Sequence, residues 1–289
     1  MKIHLIDGTY ELFRNFYGPP LKTAPDGREV GATIGLLQSL IALFSEPQVT
    51  HIGCAFDHIV ESFRNDLFSG YKTGERIHPD LFAQFHLAEK AVSALGIVVW
   101  PMVEFEADDA LATAVHRYQG KPAVNQVVIC SPDKDLSQLV SGDRVVCWDR
   151  RRNILYNESA VIKKFGVAPV SIPDWLALVG DTADGIPGIP AWGAKSSATV
   201  LSKYTHLEAI PAEVEKWDIS VRGASRLSEN FNAHREQAFF YRRLATLRSD
   251  VPISESLDDL RWKGPKENFE QLCKELGAEN LPERLPLWG

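Results

Sequence analysis

The segment Lys2-Ile-His-Leu-Ile-Asp7 joins a short apolar run directly to an aspartate, and the chain repeats this arrangement twice. The repeats are Ile52-Gly-Cys-Ala-Phe-Asp57 and Val127-Val-Ile-Cys-Ser-Pro-Asp133-Lys-Asp135. Apolar runs of this length are typical of buried strands. In an open parallel sheet the carboxyl ends of the strands face the ligand crevice, so we expect acids at these positions to converge although they are far apart in sequence.

Two further apolar runs, Ile97 to Trp100 and Val145 to Trp148, complete the strand pattern. Between the runs, Ala32 to Phe44, Leu81 to Leu95 and Asp108 to Tyr118 carry apolar residues at helical spacing. Alternation of strands and helices predicts an α/β fold with a mainly parallel central sheet flanked by helices.

The pattern changes near residue 170. From Ile172 onward, helical segments are broken by glycine and proline, most densely from Gly185 to Gly193. We therefore predict two domains, an α/β core over residues 1–170 and a smaller all-helical domain over residues 171–289. Within the second domain, the region from Val221 to Arg248 holds six arginines against two acids, which is a local excess of positive charge.

Composition is typical of an intracellular globular protein. The 289 residues are 45% hydrophobic, which allows a sizeable core. No apolar run reaches the roughly 18 residues of a membrane span, and the run Ile3 to Ile6 is too short for a signal peptide. Three of the four cysteines lie in apolar runs, where thiols are usually buried and reduced. We expect a cytoplasmic protein without a membrane partner.

Two more acidic groups extend the pattern of aspartates. Glu106-Ala-Asp108-Asp109 opens a predicted helix, and Asp181-Thr-Ala-Asp184 precedes the glycine and proline cluster. Taken singly, the first group is explained as helix caps and the second as turn residues. Five acidic sites at strand ends or adjacent turns favour a metal site, and donors that are all oxygen favour Mg²⁺ or Mn²⁺ over zinc.

The net charge of −7 argues, by itself, against a nucleic-acid partner, because phosphate binding normally requires a basic surface. Nine acids belong to the candidate metal site, and setting them aside leaves 29 acidic residues against 31 basic ones. The overall acidity therefore argues only weakly against DNA.

The ordered motifs resemble those of the structure-specific 5′-nucleases, which include flap endonucleases, phage 5′-exonucleases and the N-terminal domain of DNA polymerase I. The resemblance spans most of the chain and rests on these segments: Leu5-Ile-Asp7-Gly, Phe56-Asp57, Ser62-Phe-Arg64, Gly70-Tyr-Lys72 with Arg76, Glu106-Ala-Asp-Asp109, Asp133-Lys-Asp135 and Gly180-Asp-Thr-Ala-Asp-Gly-Ile-Pro-Gly188. It implies a PIN-like α/β domain. It also implies a helix-hairpin-helix element over about residues 172–210 and C-terminal helices that pack back on the core.

The resemblance further implies two bound metal ions, Mg²⁺ or Mn²⁺. The expected ligands of one are Asp7, Asp57, Glu106 and Asp108, those of the other are Asp133, Asp135 and Asp181, and Asp109 and Asp184 lie close by in support. Two cations about 4 Å apart activate a water molecule and stabilise the leaving oxygen of a phosphodiester displacement.

The resemblance assigns catalytic roles to Arg64 and Lys72, whose charges would stabilise the scissile phosphate in the transition state. The alternative for each is a solvated surface cation. Arg76 is a further candidate for DNA binding, without a preference between the two explanations. Phe13 stands where relatives commonly place a tyrosine that stacks on a base, and packing in the core of the first helix explains it equally well.

The glycine and proline cluster resembles a DNA-binding hairpin that holds the backbone of a duplex through N–H groups at a helix start. The residues expected to contact DNA there are Gly188, Ile189, Trp192, Gly193, Lys195 and Ser196. Relatives bind K⁺ through hairpin carbonyls, so K⁺ is a third candidate ion. Ala191 departs from the usual glycine, and alanine is strained there if the hairpin requires a positive φ.

These features predict a metal-dependent 5′-3′ exonuclease or flap endonuclease that cuts DNA near 5′ ends, flaps or nicks during replication or repair. RNA primers are a further candidate substrate, a separate DNA polymerase is a candidate partner, and a monomer is the family expectation. The alternative is a module that binds branched DNA without cutting it, which would result from a dismantled metal site. A related metal-dependent ribonuclease fits the acidic core but not the hairpin or the arginine-rich helices.

Overall fold

The structure is a computed structural model that describes residues 1–18, 20–46 and 48–286. Its strands are β1 (Lys2–Asp7), β2 (His51–Asp57), β3 (Val98–Met102), β4 (Gln126–Cys130), β5 (Val145–Asp149) and β6 (Ile154–Tyr156). Its α-helices are α1 (Gly8–Tyr17), α2 (Gly31–Leu43), α3 (Phe63–Leu67), α4 (Pro79–Phe82), α5 (Phe85–Ala94), α6 (Ala107–Tyr118), α7 (Glu158–Phe165), α8 (Ile172–Val179), α9 (Ala194–Tyr204), α10 (Ala224–Ala233), α11 (Arg235–Ala245) and α12 (Phe269–Glu275). Short 3₁₀ helices span Gly74–Arg76, Asp135–Leu139, Pro169–Ser171, Leu207–Ala209, Val214–Lys216 and Pro282–Arg284.

The chain forms two compact units. The first comprises Met1–Ser62, Gly74–Ser131 and Ser249–Gly289, and the second comprises Phe63–Thr73 and Pro132–Arg248. The chain therefore leaves the first unit and returns to it twice. The boundaries of these two units differ from the predicted boundary at residue 170. The division into domains over residues 1–170 and 171–289 stays a prediction.

The first unit is built on four parallel strands in the order β3-β2-β1-β4. Ile3, Leu5 and Ile6 of the central strand β1 are fully buried, as expected for a strand covered on both faces. The register sets Asp7 opposite Ala55, two residues before Asp57 on the neighbouring strand. Both aspartates therefore lie at the carboxyl edge of the same sheet.

Helices and the C-terminal segment complete the first unit. Nine of the thirteen residues of α2 are buried, and this helix packs against α1 and α5. The C-terminal segment joins the same core, because Trp262 donates its backbone N–H to Thr50 O at 2.9 Å and stacks on Phe44 with ring centroids 3.7 Å apart.

The second unit combines an antiparallel pair, β5 and β6, with a helical assembly in which α8 packs against both α9 and α11. The mixed α/β fold with a mainly parallel sheet and a C-terminal helical part is thus as predicted, and all five predicted strands are present. The helix predicted from Leu81 to Leu95 is instead two helices, α4 and α5. Their junction carries Gln84, whose buried Oε1 accepts hydrogen bonds from the backbone N–H and hydroxyl of Thr33 at 3.0 and 3.1 Å. Among the described residues, no helix is long and apolar enough to span a membrane.

Candidate active site

The structure places the nine predicted acids in two sets, one in each compact unit. The first-unit set is Asp7, Asp57, Glu106, Asp108 and Asp109, and the second-unit set is Asp133, Asp135, Asp181 and Asp184.

The strand-end aspartates of the first unit are held by neighbouring donors. Asp7 is the N-cap of α1, where one carboxylate oxygen accepts from Tyr10 N at 2.9 Å and the other accepts from the Ser131 hydroxyl at 2.8 Å. Asp57 Oδ1 accepts from Ala107 N at 2.8 Å, which fixes the end of β2 to the start of α6. Backbone N–H groups at helix starts stabilise negative charge, and these hydrogen bonds fix the orientation of both carboxylates.

Glu106, Asp108 and Asp109 occupy the start of α6, where Glu106 and Asp109 form a reciprocal capping box. Asp109 is fully buried and accepts from Glu106 N at 3.0 Å, while Glu106 Oε1 accepts from the hydroxyl of Ser62 at 2.8 Å. Asp108 lies half-buried in the first turn. The capping explanation therefore holds for Glu106 and Asp109, and it coexists with the predicted role of Glu106 as a metal ligand.

The second-unit acids are brought together by two turns. Asp133 accepts from Asp135 N at 2.9 Å at the start of a 3₁₀ helix, and Asp181 exchanges a pair of 2.8 Å backbone hydrogen bonds with Ile186. One carboxylate oxygen from each of Asp135, Asp181 and Asp184 lies within 4.8 Å of the other two. Three carboxylate oxygens this close together are a candidate site for a cation.

Gly185 is required for this arrangement. Its φ is +76°, and an added Cβ would lie 2.0 Å from Gly70 O. The close approach of the two backbones brings Lys72 beside Asp184, with Nζ 3.1 Å from Oδ1.

The electrostatics of the second-unit set are those of a crowded, buried cluster of negative charge. Burial and the neighbouring charges of Asp133, Asp184 and Asp181 raise the pKa of Asp135 well above its usual range. Asp133 is the exposed member of the set. Oδ1 of Asp135 is buried and, within the described residues, accepts no hydrogen bond. A buried carboxylate oxygen without a donor is the kind of atom that a bound cation satisfies.

Two lysines partly neutralise these acids. Lys134 Nζ lies 2.8 Å from Asp181 Oδ1, and Lys72 pairs with Asp184. Burial opposes the charge of Lys134, but the hydrogen bond to Asp181 and the charges around it outweigh burial and raise the pKa of Lys134. Lys134 was assigned no role from the sequence.

Arg64 is not the solvated surface cation that was one of its two explanations. The residue is 1% exposed, and its Nε and Nη2 donate to the carbonyls of Leu244 and Thr246 at 2.8 and 3.2 Å. A solvated surface cation does not fit this geometry, because the guanidinium is enclosed. Arg64 ties α3 to the end of α11, and its catalytic role stays a prediction.

Phe13 and Arg76 lie in the first unit. Phe13 is half-buried and its ring lies 6.0 Å from that of Phe85, so it belongs in part to a helix interface. Arg76 is exposed in a 3₁₀ helix. Their roles toward DNA stay predictions.

The hairpin corrects two of the predicted DNA contacts. Ile189 is buried and donates its backbone N–H to Leu178 O at 2.8 Å. Trp192 is also buried: its indole donates to Leu227 O at 3.1 Å and packs against Phe231. Both side chains belong to the core of the second unit, whereas the indole of Trp192 was expected at the tip of the hairpin. Ala191 does adopt a positive φ of 70°, so the condition for strain at this position is met.

The remaining hairpin residues are accessible. Gly193 and Lys195 are exposed and Ser196 is half-exposed at the start of α9, while Gly188 has a φ of +76°. An open groove of about 720 Å³ lies here, and Arg222 and Arg226 line it. These two arginines were missed individually, although the arginine-rich composition of Val221 to Arg248 was the available signal.

Comparison with known proteins identifies the family. The family described as 5′-3′ exonuclease, N-terminal resolvase-like domain, matches residues 2–166, and the 5′-3′ exonuclease, C-terminal SAM fold, matches residues 167–268. The chain belongs to the 5′-3′ exonuclease family. A 5′-3′ exonuclease of Aquifex aeolicus is 32% identical over 96% of this chain and 93% of its own length.

DNA polymerase I of Bacillus caldotenax is 32% identical over 98% of this chain, but this match covers 32% of the polymerase. The chain thus spans about a third of the length of that relative. The solved structure of the bacteriophage T5 D15 flap endonuclease, a complex with DNA and metal ions at 16% identity, has the same fold, with a TM-score of 0.67 over 98% of this chain and 96% of that chain. Family membership confirms the predicted resemblance and the predicted enzyme class, a nuclease.

Proposed function

We propose that this chain hydrolyses DNA phosphodiester bonds near free 5′ ends or flap junctions, and that both acid sets hold divalent metal ions for this reaction. The observation that carries the proposal is the second-unit cluster, in which three carboxylates converge around a buried, unsatisfied oxygen of Asp135. Membership of a 5′-3′ exonuclease family supplies the reaction class.

The residues present fit a hard divalent cation. All donors in both sets are carboxylate oxygens, which suits Mg²⁺ or Mn²⁺. A cation beside Asp135 would offset the repulsion and burial that raise its pKa and would satisfy its free oxygen. The T5 flap endonuclease was solved in complex with both DNA and metal ions. This supports DNA and metal ions as the molecules that this chain binds.

The roles of the residues follow from their contacts. When bound, the metal ions supply an activated water molecule and stabilise the leaving oxygen. Asp7, Asp57, Glu106 and Asp108 would ligate in the first unit, where hydroxyl and backbone donors hold them, and Asp109 would support them. Asp133, Asp135 and Asp181 would ligate in the second unit, with Asp184 in support.

Lys72 is the residue that we assign to the phosphate. Its side chain is 29% exposed and reaches Asp184, so it presents a fixed positive charge beside the cluster. Arg64 is a positioning residue in this proposal, because its bonds to Leu244 and Thr246 hold α3, the helix that precedes the Lys72 segment, against α11.

The start of α9 is the proposed grip on duplex DNA. Lys195, Arg222 and Arg226 surround the groove, and the leading backbone N–H groups of a helix bind phosphate without reading sequence. Gly188, Gly193 and Ser196 complete this surface. Phe13 and Arg76 remain candidate contacts for the first unit. K⁺ at the hairpin carbonyls is part of the proposal and is tested by comparing duplex affinity in K⁺ and Li⁺.

The wider setting is also proposed. DNA polymerase I relatives indicate work alongside a polymerase in replication or repair, with RNA primers as further substrates. We propose a cytoplasmic monomer.

The test is cleavage of a 5′-labelled flap duplex with Mg²⁺, with EDTA and with the Lys72→Met variant, with product lengths mapped. We expect metal-dependent cutting near the junction and a strong loss in Lys72→Met. The matched control is Lys163→Met, which removes an exposed lysine of α7. Tight flap binding without cutting in Mg²⁺ or Mn²⁺ would reject the nuclease and favour a branched-DNA binding module.

A further inference from the structure

A third group of side chains that could ligate a metal lies in the first unit, outside both acid sets. It comprises His58, directly after β2, and His86 and Glu89 on α5. His86 and Glu89 are separated by three positions, so they share one face of the helix. One ligand atom from each of the three residues lies within 4.8 Å of the other two.

The distances within this group match a metal site with mixed nitrogen and oxygen donors. Nδ1 of His58 lies 2.9 Å from Glu89 Oε2, and Nδ1 of His86 lies 3.7 Å from the same oxygen. Zinc bonds of about 2.0 to 2.1 Å in a tetrahedron place neighbouring ligand atoms roughly 3.3 Å apart. The two measured distances fall on either side of that value, so small side-chain rotations would complete the geometry.

The chemistry of the donors favours a transition-metal ion such as zinc over Mg²⁺. Two imidazoles and one carboxylate suit zinc, whereas Mg²⁺ prefers oxygen donors alone. The Glu89 side chain is 12% exposed and the His86 side chain is 61% exposed, so the ligands are anchored on one side and open to water on the other. An open side leaves the fourth position for a water molecule.

We propose that His58, His86 and Glu89 bind one zinc ion that clamps the end of β2 to α5. The backbone N–H groups of His58 and Ile59 already donate to Met102 O on β3, at 2.9 and 3.2 Å. On the other side of this turn, His58 Nδ1 already lies 2.9 and 3.0 Å from the two carboxylate oxygens of Glu89, and a metal between them would replace this hydrogen bond with bonds to both residues and to His86. The site is independent of the nuclease proposal, since none of its three residues belongs to either acid set.

The experiment is a zinc titration of the full chain against a chromophoric chelator in excess Mg²⁺, with His86→Ala and Glu89→Gln as the variants. His116→Ala is the matched control, because this exposed histidine on α6 bonds to its own helix, through Ala112 O at 3.2 Å. Thermal unfolding in EDTA checks that each variant folds. Zinc should also raise the Tm of the unaltered chain and not that of His86→Ala.

The expected result is one zinc ion fewer per chain in His86→Ala, or at least a tenfold weaker affinity, with a weaker affinity also in Glu89→Gln. The same zinc stoichiometry and affinity in His86→Ala as in the unaltered chain would overturn the proposal. So would an equal loss in His116→Ala, because the binding would then not depend on this cluster.

Discussion

The two acid sets contain similar residues but differ in the groups that contact their carboxylates. In the first unit, Asp7, Asp57 and Glu106 each accept a hydrogen bond from a backbone N–H or a hydroxyl at 2.8 or 2.9 Å. In the second unit, Asp135 has a buried oxygen without a donor among the described residues, and Asp181 pairs with the ammonium of Lys134.

The difference separates two ways of keeping a carboxylate charged inside a protein. In the first set, helix starts and hydroxyls hold the carboxylates in place. The acids of the second set repel one another and need positive charge nearby, from lysines or from metal. We therefore expect cations to contribute to the folding stability of the chain through the second set.

The largest expected effect is a loss of flap cleavage, and it tests whether both acid sets are needed for the reaction. Asp57→Asn in the first unit and Asp181→Asn in the second should each lower flap cleavage in Mg²⁺ by about 10³-fold or more, which is about 4 kcal/mol of lost transition-state stabilisation. Asp218→Asn, an exposed aspartate paired with Lys203, is the control and should cut normally. Activity retained in Asp57→Asn would restrict the metal chemistry to the second unit.

The next prediction concerns the free energy of unfolding in EDTA, which one variant in each acid set should change in opposite directions. Asp135→Asn should raise the free energy of unfolding, because it removes a buried charge whose pKa is raised by burial and by neighbouring acids. Asp7→Ala should lower the free energy of unfolding by about 0.5 to 2 kcal/mol, since it removes a helix cap. Each kcal/mol corresponds to about 2 to 4 °C in Tm for a chain of this size. Changes of the same sign in both variants would contradict the comparison.

The raised pKa of Asp135 also makes the folding stability depend on pH. A carboxyl whose folded pKa is raised binds its proton more tightly in the folded state, so its contribution to stability falls as pH rises from its unfolded value through the folded pKa. In EDTA, the stability advantage of Asp135→Asn over the unaltered chain should therefore grow with pH above the ordinary Asp value of 3.8. Urea unfolding across that range measures it. An advantage that shrinks with rising pH would refute the assignment.

The sequence predicted the parts of the site that local rules govern. Apolar runs that end in Asp7 and Asp57 identified strands and their carboxyl edge, and Glu106 with Asp109 has the spacing of a capping box. The turn-rich segment also identified Ala191 as the position where a positive φ would cause strain, and its φ is 70°. In each case the signal lies within a few residues.

Features made by long-range packing escaped the sequence. Trp192 follows a turn and so was expected at a tip, but its indole meets Phe231 and Trp217, which lie 39 and 25 positions further along the chain. Arg64 is buried by carbonyls about 180 residues away. No local sequence pattern predicts either contact. The group of His58, His86 and Glu89 was missed for the same reason.

A smaller effect is expected from the hydroxyl that supports the first set. Ser131→Ala removes the 2.8 Å bond to Asp7, and loss of a group that orients a metal ligand typically weakens metal affinity by about tenfold. The Mg²⁺ concentration for half-maximal cleavage should rise, while the rate at saturating Mg²⁺ should change little. Ser159→Ala, on the exposed side of α7, is the control. A lower saturating rate with an unchanged midpoint would contradict a role in orienting the ligand.

The smallest expected effect is an increase in metal affinity, and it concerns an acid of the second set. Lys134→Met removes the ammonium that neutralises Asp181, so a divalent ion no longer competes with it, and Mn²⁺ affinity measured by calorimetry should rise about threefold. The effect is small because Lys134 is 34% exposed and water screens the pair. In EDTA the same variant should be less stable than the unaltered chain, because Asp181 loses its counter-charge while Asp135 and Asp184 remain beside it. Weaker Mn²⁺ binding in Lys134→Met would mean that the lysine orders the carboxylates for the metal rather than competing with it.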